Sequence, residues 1–201
     1  MATSNSSNAQ AYPADLQAVL TELDRADAEA RQLVSELSEA QLNWQPGGGT
    51  GWSVAQCLDH LARSNALYVP ALQAAMREAK PSATWRPIQP GWVGRWFIRE
   101  LEPPPKRKIK APRKLMPAAR LKGADVLQAF FTAHDQVRVL VGEARNFDVN
   151  RNRIRNPFLR VLPWTVGTAF VIIGAHDRRH LWQAQQVLKA MEKEQTAAKA
   201  C

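Results

Sequence analysis

Apolar residues recur every three or four positions in four long segments of the chain, which is the spacing of an amphipathic α-helix. The first segment runs from Pro13 to about residue 37, and the second covers about 28 residues from Ser53. The third and fourth cover about 124–144 and 165–192. No segment of convincing length alternates apolar and polar residues as a half-buried strand would. The pattern therefore predicts an all-α fold, a four-helix bundle.

Residues 81–122 form a long connection between the second and third predicted helices. It contains eight prolines, and its Trp92–Ile98 segment is predicted to form a short helical turn packed onto the body. Connections of this length are uncommon in compact domains unless they serve a purpose. Two neighbouring parallel helices need a crossover as long as the bundle, and we expect this segment to be that crossover.

Short polar signatures mark two of the helix starts. Ser38–Gln41 has the form of a capping box and predicts a short turn of helix, and Ser53 is a suitable N-cap for the second long helix. The glycine-rich stretch 47–51 lies between them and predicts a loop.

The sequence predicts one domain with a short tail at each end. Residues 1–11 are rich in Ser, Asn and Ala and lack a basic start and an apolar core, so we expect a flexible tail and no signal peptide. The bundle domain is predicted over 12–192, followed by a tail at 193–201. The most apolar run, 161–175, is too short to span a bilayer, so no membrane association is expected. Two distant cysteines, Cys57 and Cys201, fit a reducing compartment, which favours the cytoplasm.

The formal net charge of +9 and the pI of about 10.1 favour an anionic partner. The segment Lys106–Lys122 holds eight basic residues and no acid. It has few aromatic residues for base stacking, so a solvated loop is favoured over a nucleic-acid interface. A non-catalytic bundle that binds nucleic acid or an acidic partner through this crossover nevertheless stays open as an alternative class of function.

His176 and His180 are the first candidate site residues. They lie four positions apart within the apolar stripe of the last helix, where both imidazoles can bind one metal ion. The alternative interpretation is a polar patch on a core helix. His60, beside the core face of the second helix, favours a metal site, because three imidazoles and an open fourth position are typical of catalytic zinc-like sites.

Four further residues lie near these histidines in sequence or on core faces. Asp177 could orient an imidazole, act as a base, or be a buried carboxylate paired with an arginine. Asp59 is the second candidate base. His134 faces the core of the third helix and could be an extra ligand, a proton carrier or a hydrogen-bonded core histidine. Cys57 is interpreted as a small core residue.

Three stretches carry a resemblance to a known family: LNWQP at Leu42–Pro46, WSVAQCLDHL at Trp52–Leu61 and AHDRRHLWQA at Ala175–Ala184. They combine a Trp-x-Pro turn, a Trp-Ser helix start with a histidine seven residues after the serine, and His-x3-His on the last helix. In this combination the chain resembles the DinB-like (YfiT-like) superfamily of metalloenzymes, over most of residues 13–192. The resemblance implies an up-down-down-up bundle with a long crossover between helices 2 and 3.

The resemblance also implies a divalent-metal site on His60, His176 and His180, and a homodimer. Family members with known activity are mainly transferases or isomerases that use a low-molecular-weight thiol, with some proposed metal-dependent hydrolases. We therefore expect a metal-dependent S-transferase acting on a small, anionic substrate. The alternative is a hydrolase that uses metal-bound hydroxide. Three imidazoles suit zinc, nickel and several other divalent metals, so the sequence selects neither the metal nor the substrate.

Overall fold

The computed structural model describes residues 12–107, 111–158, 162 and 164–199. The tail predicted at residues 1–11 lies outside these ranges, as do Ala200 and Cys201. Over the described ranges the fold is helical apart from one pair of two-residue strands. The elements in chain order are α1 (Ala14–Ser35), α2 (Glu39–Leu42), α3 (Pro46–Gly49), α4 (Val54–Arg77), α5 (Trp92–Leu101), a 3-10 turn (Arg113–Leu115), α6 (Gly123–Ala144), β1 (Arg153–Ile154), β2 (Trp164–Thr165) and α7 (Val166–Lys199).

The four long helices, α1, α4, α6 and α7, form the bundle, and side-chain pairs give their directions. Glu22 of α1 pairs with Arg178 of α7, and Glu29 accepts a hydrogen bond from Gln185. Residue numbers rise together in these pairs, so α1 and α7 run parallel.

The two remaining helices run the other way. Asp24 and Asp27 of α1 pair with Arg138 and His134 of α6, with numbers that change in opposite senses, so α6 is antiparallel to α1. By the same argument α4 is antiparallel to α7: His60 of α4 contacts His180 of α7, whereas Asn65, further along α4, contacts Asp177, which comes earlier in α7. The order is therefore up-down-down-up, and the predicted four-helix bundle is confirmed. Because α4 and α6 are parallel, the segment between them must run the length of α4, roughly 36 Å for 24 residues.

The predicted helix starts agree with the structure. The Ser38 side chain accepts from the Gln41 amide, and Ser53 does the same for Gln56, so both starts have a complete capping box. The predicted glycine loop is a tight turn in which Gly47, Gly48 and Gly49 all have positive φ. Only glycine adopts a positive φ without a steric cost, and this turn conformation explains why three glycines occur in a row here.

Several details differ from the predictions. The last helix continues to Lys199 instead of ending near residue 192. Residues 193–199 are mostly Lys, Glu, Gln and Ala, which favour helix and include no glycine or proline to stop it. The β1–β2 pair was not predicted because two residues per strand are too few to show a period. The short helix expected at Trp92–Ile98 is present as α5, which runs three residues further.

A polar layer divides the bundle core. One apolar cluster contains the beginning of α1 and α7 and the end of α4 and α6, and the other contains the opposite helix ends. Between them lie the buried polar side chains of Ser64, Asn65, His134 and Asp177, the last two with 0% and 1% of their surface exposed. Burial of polar groups is costly unless they are paired. A functional site is therefore expected near this layer, where buried polar and titratable side chains are concentrated. Among the described residues, no helix is long and apolar enough to cross a membrane.

Candidate metal centre

Three imidazoles meet at the level of this polar layer, on the face that α4 and α7 share. His60 comes from α4, and His176 and His180 come from successive turns of α7. One nitrogen from each ring lies within 4.8 Å of the other two, and the Nε2 atoms of His60 and His176 are 3.3 Å apart. The structure thus brings together the three histidines that the sequence selected as ligands.

The rings are in the protonation state that a metal ligand requires. Burial lowers the pKa of His60, outweighing the carbonyl of Leu115 and the charge of Asp59. It also lowers the pKa of His176 to about 3, with a further contribution from the neighbouring imidazole and from Arg179. His180 has a pKa lowered well below 6.5, again chiefly by burial. All three side chains are therefore neutral near pH 7, with lone pairs available for a cation.

The outer atoms of two rings are fixed by hydrogen bonds. The Nδ1 atom of His60 is 3.0 Å from the main-chain oxygen of Leu115, and Nδ1 of His180 is 2.9 Å from Oε1 of Gln183. Because both acceptors are oxygens, the proton of each neutral ring resides on Nδ1 and the lone pair on Nε2. Trp52 stacks on His180 and contacts His60, with ring centroids 5.7 and 4.9 Å away. Such outer contacts set the orientation and basicity of metal ligands.

The spacing of the nitrogens suits a small divalent ion. In a tetrahedral site with metal–nitrogen bonds of about 2.0–2.1 Å, neighbouring ligand nitrogens are about 3.3–3.4 Å apart. The 3.3 Å separation between His60 and His176 has this value, and the His180 nitrogen lies within 4.8 Å of both. Neutral imidazole ligands are appropriate for zinc, nickel and related metals. The residues present therefore fit the divalent metal that the sequence suggests.

The crossover is attached to the bundle beside this cluster. Asn43 accepts from the main-chain amide of Leu121 and donates to its oxygen, at 3.0 and 2.8 Å. Gln56 donates to the oxygen of Ala118, whose amide donates to Asp59. With the bond from His60 to Leu115, side chains at three levels of the bundle hold 115–121 in place. The Asn of LNWQP and the Gln and Asp of the second motif therefore position the crossover, and with it the carbonyl that orients His60.

The two candidate bases lie in other surroundings. Asp59 is 2.7 Å from Nε of Arg63 and also accepts from Ala118. Asp177 accepts from Asn65 at 3.0 Å and lies 3.3 Å from Nε2 of His134. Neither carboxylate lines the cavity next to the histidine cluster. Their role as bases stays a prediction.

His134 does not join the cluster among the groups that the structure describes. Its Nδ1 atom is 2.6 Å from Asp27 and its Nε2 atom faces Asp177, so carboxylates engage both ring nitrogens. Burial opposes protonation, but the two carboxylates outweigh it and raise the pKa of His134 to about 9. Of the three interpretations that the sequence left open, this geometry favours a paired core histidine. Cys57 is fully buried among apolar residues, and burial raises the pKa of its thiol, as a small core residue requires.

A cavity of about 180 Å³ opens directly onto the three histidines. Its walls are mostly apolar and come from α4, α5, α7 and the loops between them. Among the described wall residues, Arg179 carries the one charged side chain; the other polar groups are the three imidazoles, the Tyr68 hydroxyl and the Trp52 indole N–H. The lining residues are Trp52, His60, Tyr68, Phe97, Leu101, Ala111, Pro112, Leu115, Phe158, Ile172, His176, Arg179 and His180.

Sequence reasoning missed four contributors to this site: Trp52, Leu115, Arg179 and Gln183. Gln183 could have been found, since it follows His180 by three residues on one helix face. Trp52 belongs to a quoted motif but was assigned only to the helix start. Leu115 contributes a main-chain oxygen, which any residue type could provide, so its identity gives no signal. The role of Arg179 could not be predicted because its partners belong to the crossover segment, whose packing the sequence pattern does not show.

With this geometry established, comparison with known families identifies the chain. Residues 22–184 match the family model of the DinB superfamily. The match covers most of the chain, and the protein therefore belongs to the DinB superfamily.

Among solved structures, the fold resembles that of YfiT from Bacillus subtilis, described as a probable metal-dependent hydrolase with an unusual four-helix bundle topology. The two share 16% sequence identity over 91% of each chain, with a TM-score of 0.59. At this identity the likeness establishes the fold. A search of curated proteins finds no significant match.

Proposed function

We propose that this DinB-superfamily protein binds one divalent metal ion through His60, His176 and His180, and transfers a small thiol to an electrophilic carbon. The new C–S bond would replace the bond from that carbon to its leaving group, which would depart as an anion while the thiol proton passes to solvent. The observation that carries the metal site is the convergence of three neutral imidazoles from two helices at ligand spacing. Three neutral ligands leave a divalent ion with its full charge, which lowers the pKa of a coordinated thiol or water and makes it a nucleophile near pH 7.

The protein's own residues would orient the ligands and shape the site. Leu115 and Gln183 hold the Nδ1 protons of His60 and His180, so that both Nε2 lone pairs point inward. Trp52 packs against both rings and limits their rotation. The apolar walls of the cavity restrict water around the reacting atoms, which strengthens electrostatic interactions there.

Thiol transfer is favoured over hydrolysis by the composition of the cavity wall. No carboxylate is present among the described residues that line it. A bound metal would activate water as well as a thiol, but expulsion of an ester or amide leaving group normally also needs a nearby general acid. Attack by a thiolate on a substrate whose leaving group departs as a stable anion would need no such acid, so this wall suits thiol chemistry.

Metal-dependent hydrolysis is the second candidate, and a specific comparison supports it. YfiT, which has the same fold, is described as a probable metal-dependent hydrolase. In this case Asp59 or Asp177 would have to act as the base. Neither lines the cavity, so their present contacts would have to change.

The experiment begins with elemental analysis of protein purified without added metal. Metal-loaded protein is then assayed with common bacterial thiols plus chlorodinitrobenzene, and separately with ester and amide substrates without thiol. Thiol consumption that is lost on chelation and in His180→Ala supports the transferase. Hydrolysis that is unaffected by thiols but lost on chelation would replace it with the hydrolase. Absence of stoichiometric metal in the wild type would contradict both.

A further inference from the structure

Arg179 is a buried cation beside the histidine cluster, and the proposed function gives it no role. Only 7% of its surface is exposed, and it lines the cavity between the two α7 ligands. Its terminal nitrogens donate to the main-chain oxygens of Glu100 and Arg107, each at 2.8 Å. These two bonds fix the guanidinium plane against the crossover.

Among the described residues, no carboxylate lies within the 4.0 Å ion-pair distance of the Arg179 guanidinium, although the charge of Glu100 acts on it from further away. Its sequence neighbour Arg178 shows the contrast, because Glu22 and Glu102 both pair with that guanidinium. Arg179 is held by neutral carbonyls instead. A guanidinium has five N–H donors, and two carbonyls do not use them all.

A buried charge that no carboxylate contacts directly costs stability, and such groups cluster at binding and catalytic sites. The guanidinium lines the same cavity as His176 and His180, so an anion bound to it would lie next to the histidine cluster. Arginine binds carboxylates and phosphates through paired N–H bonds. The cavity wall around it offers aromatic and aliphatic surfaces, from Trp52, Phe97 and Phe158 among others.

We infer that Arg179 anchors the anionic group of a small, mostly apolar carboxylate, with the rest of that molecule lying in the cavity next to the three histidines. The inference rests on the proposed function only in taking the histidine cluster as the reacting centre. One guanidinium charge and a cavity of about 180 Å³ match a small monoanion. Arg179 is therefore a candidate specificity-determining residue for whichever reaction occurs there.

The test uses the full chain and fluorine NMR with 4-fluorobenzoate and its neutral counterpart, 4-fluorobenzamide. Both are titrated into chelator-treated and zinc-loaded protein. We expect the benzoate to bind at least ~10-fold more tightly than the benzamide in both forms, since hydrogen bonds to charged groups have about that effect. Arg179→Gln should remove this preference, and Arg179→Lys should restore part of it. Arg95→Gln, at an exposed arginine that donates to Pro90, is the matched control and should change nothing.

The outcomes separate this inference from the proposed function. Benzoate binding that survives in Arg179→Gln and disappears on chelation would place the carboxylate on the metal and overturn the inference. Equal binding of benzoate and benzamide to the wild type would also overturn it, even if Arg179→Gln fails to fold. Neither outcome affects the thiol or hydrolysis assays. 4-Fluorophenyl phosphate serves as a third ligand, and tighter binding than the benzoate would overturn the choice of a carboxylate.

Discussion

The Nε2 atoms of His60 and His176 lie 3.3 Å apart, although 116 positions separate the two residues in the chain. The hydrogen bond from His60 to Leu115 directs the Nε2 lone pair of its neutral ring toward the other nitrogen. Without metal, the neutral His176 ring can donate an Nε2–H hydrogen bond to this lone pair. A divalent cation would take the place of that proton and bind both nitrogens, and a ligand that binds only the folded state stabilises it.

Metal binding should consequently raise the melting temperature. At a free zinc concentration of 100 times Kd, the stabilisation is about 2.7 kcal/mol, and for a chain of this size we expect a rise of about 5–10 °C. His180→Ala should bind less than one equivalent of metal and lose most of this rise. Differential scanning calorimetry with and without zinc measures the difference. An equal rise in both proteins would place the metal elsewhere.

The fold was predictable because its determinants are local and repeated. Helical spacing of apolar residues identified the four long helices, and Ser38 and Ser53 marked helix starts through capping chemistry. The histidine triad followed from spacing on α7 and from the position of His60 beside a core face. These features depend on side chains of one or two helices, which a periodic pattern describes well.

The rest of the site depends on how the crossover packs, which no local pattern encodes. The carbonyl of Leu115 reaches His60 across 55 positions, and Arg179 acquires its partners at Glu100 and Arg107 in the same way. The pairing of His134 with Asp27 is likewise a contact between two helices far apart in sequence. For this reason the sequence predicts the three candidate ligands but not the groups that orient them.

Gln183 provides a test of ligand orientation. Gln183→Ala removes the acceptor of the His180 Nδ1 proton without removing a ligand, and loss of such outer contacts typically lowers metal affinity about 10- to 100-fold. We expect a weaker Kd for zinc with little change in the melting temperature of the metal-free protein. Gln185→Ala is the control, because Gln185 lies on the same helix but donates to Glu29. Competition titration with a chelating dye measures both, and equal Kd values would exclude an orienting role.

A substitution at Asp177 distinguishes a stabilising role of this carboxylate from a role as a catalytic base. Asp177→Asn removes one of the two carboxylates that face the buried His134. Loss of a partner from a buried ion pair costs about 3–5 kcal/mol, so urea denaturation should show a large loss of stability with metal stoichiometry retained. Asp135→Asn, at an exposed aspartate that pairs with Arg138, should cost little. Unchanged stability together with lost turnover would make Asp177 a base instead.

His134 should make stability depend on pH. Its pKa is raised from 6.5 to about 9 in the folded protein, because the carboxylates of Asp177 and Asp27 outweigh the effect of burial. A group with a raised folded pKa contributes stability that is fully present below the unfolded pKa and is lost as pH rises through the folded value. The contribution is on the order of 3 kcal/mol, so the free energy of unfolding should fall between about pH 6.5 and 9.

The comparison that isolates His134 is with His134→Gln, measured by urea denaturation of chelator-treated protein at pH 6, 7, 8 and 9. Glutamine can still bond to one carboxylate but does not titrate, so the variant should lose the fall over this range and be less stable at pH 6. Buried Cys57, whose pKa is also raised, contributes equally to both proteins and cancels in the difference. Profiles of equal slope would show that His134 is neutral in the folded state, and that the Asp27–His134–Asp177 contacts are hydrogen bonds without an ion pair.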